Sequence, residues 1–442
     1  MRLSSACFLI CVLLACRTPS QSAAPSEFQQ AVEALQANKP QEALPRLERL
    51  YQQDSAQLEV ARALAEAYVR LGKTQVLLTR LQNDMRPVAH YMRGLLFYSQ
   101  PATAENEALA AFRQAIAALP GEPEFHYRLG LALLELERHA EALEALQTAL
   151  GLAPHKATWQ LPLAKALFGL EKNDEAMAAL RKSLEGTLSP AELQTAKKLM
   201  NALLHEHVPA SAQKALDEAI QWLNVADVPQ QAISILEALL IDFPDLALAH
   251  ALLGLAYQKL DDAGRATEEF RKAISLAPNN GIYPYYLAEL YTSKRRPQEA
   301  RQAYELAIQK NPFLEEAHVK LADMALQQSN WPLARQHFQM AAHLGNTQAR
   351  LKLALTFQEE KNWAAAEAEF LTLLKQMPDN LELSLRAGVF YAEWFLASSS
   401  PEEKTQLKNK ALAQLDKVLE AQPENALALR VKATLKAPRG GV

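Results

Sequence analysis

Three pairs of prolines set 34 residues apart constrain this chain more than any other feature. Pro120 precedes Pro154, Pro244 precedes Pro278, and Pro278 precedes Pro312, each by 34 residues. Ten residues after each proline stands a small residue: Gly130, Ala164, Gly254, Ala288 or Ala322. Twelve further on come Ala142, Ala176, Ala266, Ala300 and Ala334. Four beyond those lie Leu146, Leu180, Phe270, Tyr304 and Phe338, and three later Ala149, Ser183, Ala273, Ala307 and Ala341. A period of this length predicts stacked supersecondary units in place of a single globular core.

Each unit reads as two antiparallel helices. Small residues let the pair approach, and the large residue fills the gap to the next unit. Proline ends the second helix, because it lacks an N–H and disfavours helix in the residue before it. One pair cannot bury its apolar face, whereas stacked pairs can. Composition agrees: hydrophobic residues make up 49%, and Ala and Leu, both strong helix formers, dominate them. Only 14 glycines occur, so phosphate-cradling loops are scarce. A formal charge of -4 gives no basic footprint, and nucleic acid is not expected as a partner.

The order small, small, large, small, proline resembles the tetratricopeptide repeat, over nearly the whole chain after residue 26. The resemblance implies an all-α, right-handed superhelical solenoid of antiparallel helix pairs, about eleven in number. In this register the repeats fall near 24–57, 58–86, 87–122, 123–156, 157–190, 213–246, 247–280, 281–314, 315–346, 347–380 and 381–425. Two arrays result, 26–188 and 213–436, with an irregular extra helix at 189–212 between them. The repeat at 315–346 ends at Gly345-Asn346 and is two residues short. The last repeat carries an insert near 395–409, where Ser400-Pro401-Glu402-Glu403 is a helix start. Residues 437–442 read as a tail.

At the other end, Met1-Arg2 is a short positive start, and Ala6 to Ala15 is an apolar run. It is too short to span a bilayer, which needs about twenty residues. It fits a signal peptide, predicted over 1–15. The run ends Leu13-Leu14-Ala15-Cys16, which resembles the bacterial lipoprotein signal. That resemblance implies cleavage before Cys16 and lipid on it, with residues 16–25 as a tether. An ordinary secretory cut near Ser22-Ala23-Ala24 is the alternative, made awkward by Pro25. Arg17 stands where an inner-membrane retention signal would put Asp, so the analogy favours the outer membrane.

All three cysteines, Cys7, Cys11 and Cys16, lie within the first sixteen residues, which excludes disulfides and thiolate chemistry from the body of the chain. No phosphate loop, dinucleotide fingerprint or His-Glu-x-x-His pattern occurs. His205-Glu206-His207 places two imidazoles two residues apart, which a helix turns away from each other. His90, His126, His250 and His318 each lie four residues before the small residue of their repeat. In the resembled family that slot holds bulky packing side chains. A non-enzymatic chain without cofactor or metal is expected.

The same resemblance implies that the first helix of each repeat lines the concave surface. The inward positions are three before, one after and four after the small residue. They read Tyr91, Leu95 and Tyr98, then Tyr127, Leu131 and Leu134, then Leu161, Lys165 and Phe168. An apolar run across three repeats points to a protein interface with aromatic anchors, or else to packing against neighbouring helices. Further on the positions turn polar: Tyr285, Glu289 and Thr292, then Val319, Asp323 and Leu326. The position after the small residue is never Asn, which argues against a carboxylate clamp for chaperone tails. The expected role is a cell-envelope scaffold, a lipoprotein of the outer membrane facing the periplasm. It would hold a partner's helix or extended segment in the assembly of an envelope or export machine. The alternative is a soluble periplasmic or secreted, chaperone-like adaptor for transient clients.

Overall fold

The computed structural model describes residues 26–100, 104–206 and 208–436. The leader with Cys16, the tether to residue 25 and the tail at 437–442 lie outside the described residues. Among the described residues there are twenty-four α-helices and no strand. The helix Pro297–Lys310 shows why. Ala300, Ala303, Tyr304 and Ala307 are buried, at the spacing of one helical face. Pro297 sits at the first turn, where its missing N–H costs nothing. Glu299 in that turn and Lys310 in the last complement the helix dipole. Pro312 follows two residues after the end, and Pro120, Pro154, Pro244 and Pro278 follow their helices in the same way.

Residues up to Leu203 and residues from Leu204 form two compact units. The first holds five helix pairs, from Glu27–Gln36 with Pro40–Gln53 to Gln160–Gly169 with Asn173–Ser183, followed by the single helix Pro190–Leu203. The second holds six pairs, from Ala210–Asn224 with Pro229–Asp242 to Leu381–Ala397 with Pro401–Ala421, and ends in the single helix Ala426–Lys436. Within each unit a helix packs on its hairpin partner and on the helix that follows. The fold is therefore a solenoid in which every repeat buries its neighbour's apolar face.

The small residue of each first helix meets the large residue of the second. A methyl placed on Gly254 would lie 2.7 Å from the Phe270 ring, and one on Gly130 would lie 2.6 Å from Leu146. The large residue also reaches the next pair, as sequence spacing predicts: Phe270 faces Tyr286 at 6.1 Å and Phe370 faces Phe390 at 4.8 Å. It serves both contacts at once.

The turn inside each pair repeats the period in its backbone. Asp227, Asp261, Arg295 and Ser329 all have φ between 53° and 65°, and each is 34 residues from the next. Asn38, Gly72, Glu137, Glu171 and Lys361 take the same conformation. After Asp227, Val228 closes on Trp222, six back. In every other one of these turns the following N–H closes on a carbonyl five residues back, as Arg296 does on Tyr291 at 2.9 Å and Asn330 on Ala325 at 2.9 Å. This is the Schellman closure, which favours glycine at the left-handed position. Ser329→Gly is therefore expected to stabilise the second unit by about 0.5 kcal/mol, steric relief slightly exceeding glycine's extra unfolded-state entropy. A lower urea midpoint would show that Ser329 is not strained.

The irregular stretch resolves into parts. Ser189 and Glu192 cap Pro190–Leu203 reciprocally, Glu192 N–H donating to Ser189 Oγ (3.3 Å) and Ser189 N–H to Glu192 Oε2 (2.8 Å). That helix stops at Leu203, and Ala210–Asn224 already opens the next pair. Gly345 ends the shortened pair at φ 100°, and Asn346 caps the following helix through the Ala349 N–H at 2.8 Å. In the insert, Ser400 accepts from the Glu403 N–H at 3.3 Å, while the Glu403 carboxylate turns to the Ser398 hydroxyl. The two helices of that pair run to 17 and 21 residues.

Candidate interaction surface

The predicted inward residues lie on the first helices of three successive pairs in the first unit, and they differ in exposure. Tyr91 is 0% exposed. Its ring packs on Phe125 (5.1 Å) and Phe112 (6.3 Å), and its hydroxyl donates to Glu124 (3.3 Å). Leu95 and Leu161 are also buried. These three are corrected from surface residues to packing residues. What covers Tyr91 is a polar network from other repeats. Glu124 binds Arg128 at 2.8 Å and Arg62 at 3.9 Å, and Glu66 binds Arg70 at 2.5 Å.

Burial alone would lower Arg128, yet the Glu124 carboxylate raises it above its usual range. Glu66 is pushed up by burial, which outweighs Arg70, Arg62 and Arg128 around it. Burial also raises the Tyr91 and Tyr127 hydroxyls, so both stay neutral. Arg62 and Glu66 occupy the inward slots of their own repeat around Ala65, so the periodic reading extended by one repeat would have found them. Glu124 and Arg128 occupy other slots and carry no such signal.

The remaining residues stay accessible. Tyr98 is half-buried and donates to Glu135 at 2.5 Å. Tyr127 stacks on Trp159 at 4.3 Å and 9°, and the Arg128 guanidinium lies over the Tyr127 ring, 5.6 Å from its centroid. Trp159 was not legible as part of this face, because it precedes its helix in a short 3₁₀ turn, Ala157–Trp159. Leu131 and Leu134 are half-buried, and Phe168 is 37% exposed beside exposed Lys165.

In the second unit the corresponding positions form ion pairs between successive repeats: Glu289 with Lys320 at 2.9 Å and Asp323 with Lys352 at 2.7 Å. Glu289 also accepts from the Tyr304 hydroxyl. His90, His250 and His318 are buried, and His126 is half-buried. His126, His250 and His318 do more than pack. Each points Nε2 at the carbonyl of the preceding repeat's proline, Pro120 (2.9 Å), Pro244 (2.9 Å) and Pro312 (3.3 Å). Glu206 accepts from Asn280 at 2.9 Å and from the Tyr283 hydroxyl, and His207 lies outside the described residues. Among the described residues no group of three His, Cys, Asp or Glu is placed to hold a metal ion, and no helix is long and apolar enough to cross a membrane.

Stacked helix pairs with one accessible, partly aromatic face define a helical-repeat scaffold of the kind that binds peptides or proteins. A tetratricopeptide repeat model matches residues 28–76, 106–157, 127–192, 252–315 and 285–349, more than half of the sequence, and this chain belongs to the tetratricopeptide repeat family. Proteins of this family are interaction scaffolds, generally without enzymatic activity. No curated protein sequence matches the chain. Among solved structures it is similar to YrrB, described as a TPR protein with an unusual peptide-binding site. That match has 22% identity and a TM-score of 0.36, over 45% of this chain and 97% of that one. It is also similar to Pseudomonas aeruginosa pilF, with 19% identity and a TM-score of 0.38, over 50% and 96% of the two chains. The Cut9–Hcn1 hetero-tetramer of the APC/C gives 14% identity and a TM-score of 0.35, over 93% and 97%.

Proposed function

We propose that this protein is a non-enzymatic scaffold of the cell envelope that holds a protein partner on the first-helix face of its first unit. The reading adds that lipid on Cys16 anchors it to the outer membrane, facing the periplasm, where it serves assembly of an envelope or export machine. The observation that carries the binding reading is the accessible row Tyr98, Tyr127, Leu131, Leu134 and Phe168, on three consecutive repeats. A face held rigid by helix packing captures a helix or extended segment at little ordering cost. Aromatic side chains beside half-buried leucines are the usual anchors of such contacts.

The test is a pull-down from detergent-solubilised membranes with the intact chain, a Leu134→Glu, Phe168→Glu variant and a Cys16→Ser variant. The reading expects one partner with the intact chain, its loss from the still-folded charge variant, and release of the Cys16→Ser protein into the soluble fraction. A partner that survives the charge variant moves the interface away from this face. A wild-type protein found only in the soluble fraction, with varied and weak clients, replaces the anchored scaffold by the soluble adaptor.

A further inference from the structure

The helix pair Glu315–Gln327 and Trp331–His343 departs from the period, and it carries three of the chain's ten histidines. His318 is buried, with Nε2 3.3 Å from the Pro312 carbonyl and Nδ1 3.1 Å from Nδ1 of His337. A carbonyl can only accept, so Nε2 of His318 carries its proton and Nδ1 is a bare acceptor. His337 must then donate from Nδ1. The arrangement is complete with both rings neutral. One added proton is taken by Nε2 of His337 and leaves the bond between the rings intact; a second, on Nδ1 of His318, sets two N–H groups face to face. At the far end of the same pair, Nε2 of His343 is buried and has no hydrogen-bond partner.

The surrounding charges do not prepare this pair for protonation. Arg301 and Glu305, on Pro297–Lys310, act on His337 in opposite senses and bind each other at 2.8 Å. On the His318 helix, Lys320 and Asp323 are engaged with Glu289 and Lys352. On the His337 helix, Arg335 is paired with Glu360. Arg350, on Thr347–Glu359, opposes a charge on His343 and is itself bound to Glu369 at 2.8 Å.

We propose that this helix pair is an acid-sensitive joint in the second unit. Protons on His318 and His337 loosen it while the pairs on either side remain folded. Burial holds His318 down at about 4, with His337 adding to the effect, and burial lowers His337 and His343 as well. Because the folded values lie below the ordinary value of 6.5, stability is complete above that pH. It is lost as pH falls from there towards about 4.

The experiment is hydrogen exchange on the full chain at about pH 7.5 and 5, corrected for intrinsic rates, comparing residues 315–343 with 381–421. The expected result is a protection loss at 315–343 at least about tenfold greater than at 381–421, one unit of altered pKa being tenfold. A His318→Phe, His337→Leu double variant removes both partners together and should abolish the excess. His337→Gln, which keeps a donor toward His318, should reduce it and serves if the double variant does not fold. Equal losses in both segments, or an excess unchanged in the variants, would overturn the proposal.

Discussion

Replacing Phe270 by Ala is expected to lower the stability of the second unit by about 3–5 kcal/mol, the range for deleting a fully buried aromatic ring. Phe270 is 0% exposed and lies at the junction of two contacts, over Gly254 in its own pair and against Tyr286 in the next. Its loss therefore opens a hairpin and an inter-repeat interface together. Neighbouring repeats stabilise one another, so the defect spreads beyond one pair. Gly254→Ala attacks the same contact from the other side, by overpacking, and should cost about 1–3 kcal/mol. The two changes should not add, since the space left by the ring accommodates the new methyl. Urea denaturation of the two single variants and the double variant checks this. A cost below about 1 kcal/mol for Phe270→Ala would mean that the ring is not the keystone of its pair.

Glu124→Ala should cost about 1.5–3 kcal/mol in the first unit, because it leaves the partly buried Arg128 without its carboxylate. The same carboxylate holds Arg62 and accepts from Tyr91, so three groups lose a partner together. Replacing Glu124 and Arg128 both by Met should recover part of the loss, since Arg128 is no longer left without its carboxylate, while Arg62 and the Tyr91 hydroxyl still lack theirs. If Glu124→Ala is silent and the double change is not better, the network is solvated and does not cover Tyr91.

Much of this fold was legible because its determinants are local. Pro312 and Gly254 mark a helix end and a close approach through their own backbone limits. The buried set Ala300, Ala303, Tyr304 and Ala307 follows from helical spacing alone. The insert start at Ser400 was equally readable, down to its cap. The turn conformation was not. Asp261, Arg295 and Ser329 occupy a left-handed position that glycine would signal, and among the described turns inside a pair only that at Gly72 has glycine there.

Sequence by itself determined the period, the helix pairs and the matching of small to large residues. Those features rest on backbone hydrogen bonds and apolar spacing within one pair or between adjacent ones. Tertiary structure decided which inward slots stay open. Tyr91 and Tyr127 occupy equivalent positions, yet Tyr91 is sealed beneath Arg62, Glu124 and Arg128, while Tyr127 remains half-buried against Trp159. Arg62 and Glu124 lie 62 residues apart, and their meeting over Tyr91 depends on how far long side chains reach once the repeats are stacked. The spacing of residues within a repeat carries no record of that reach.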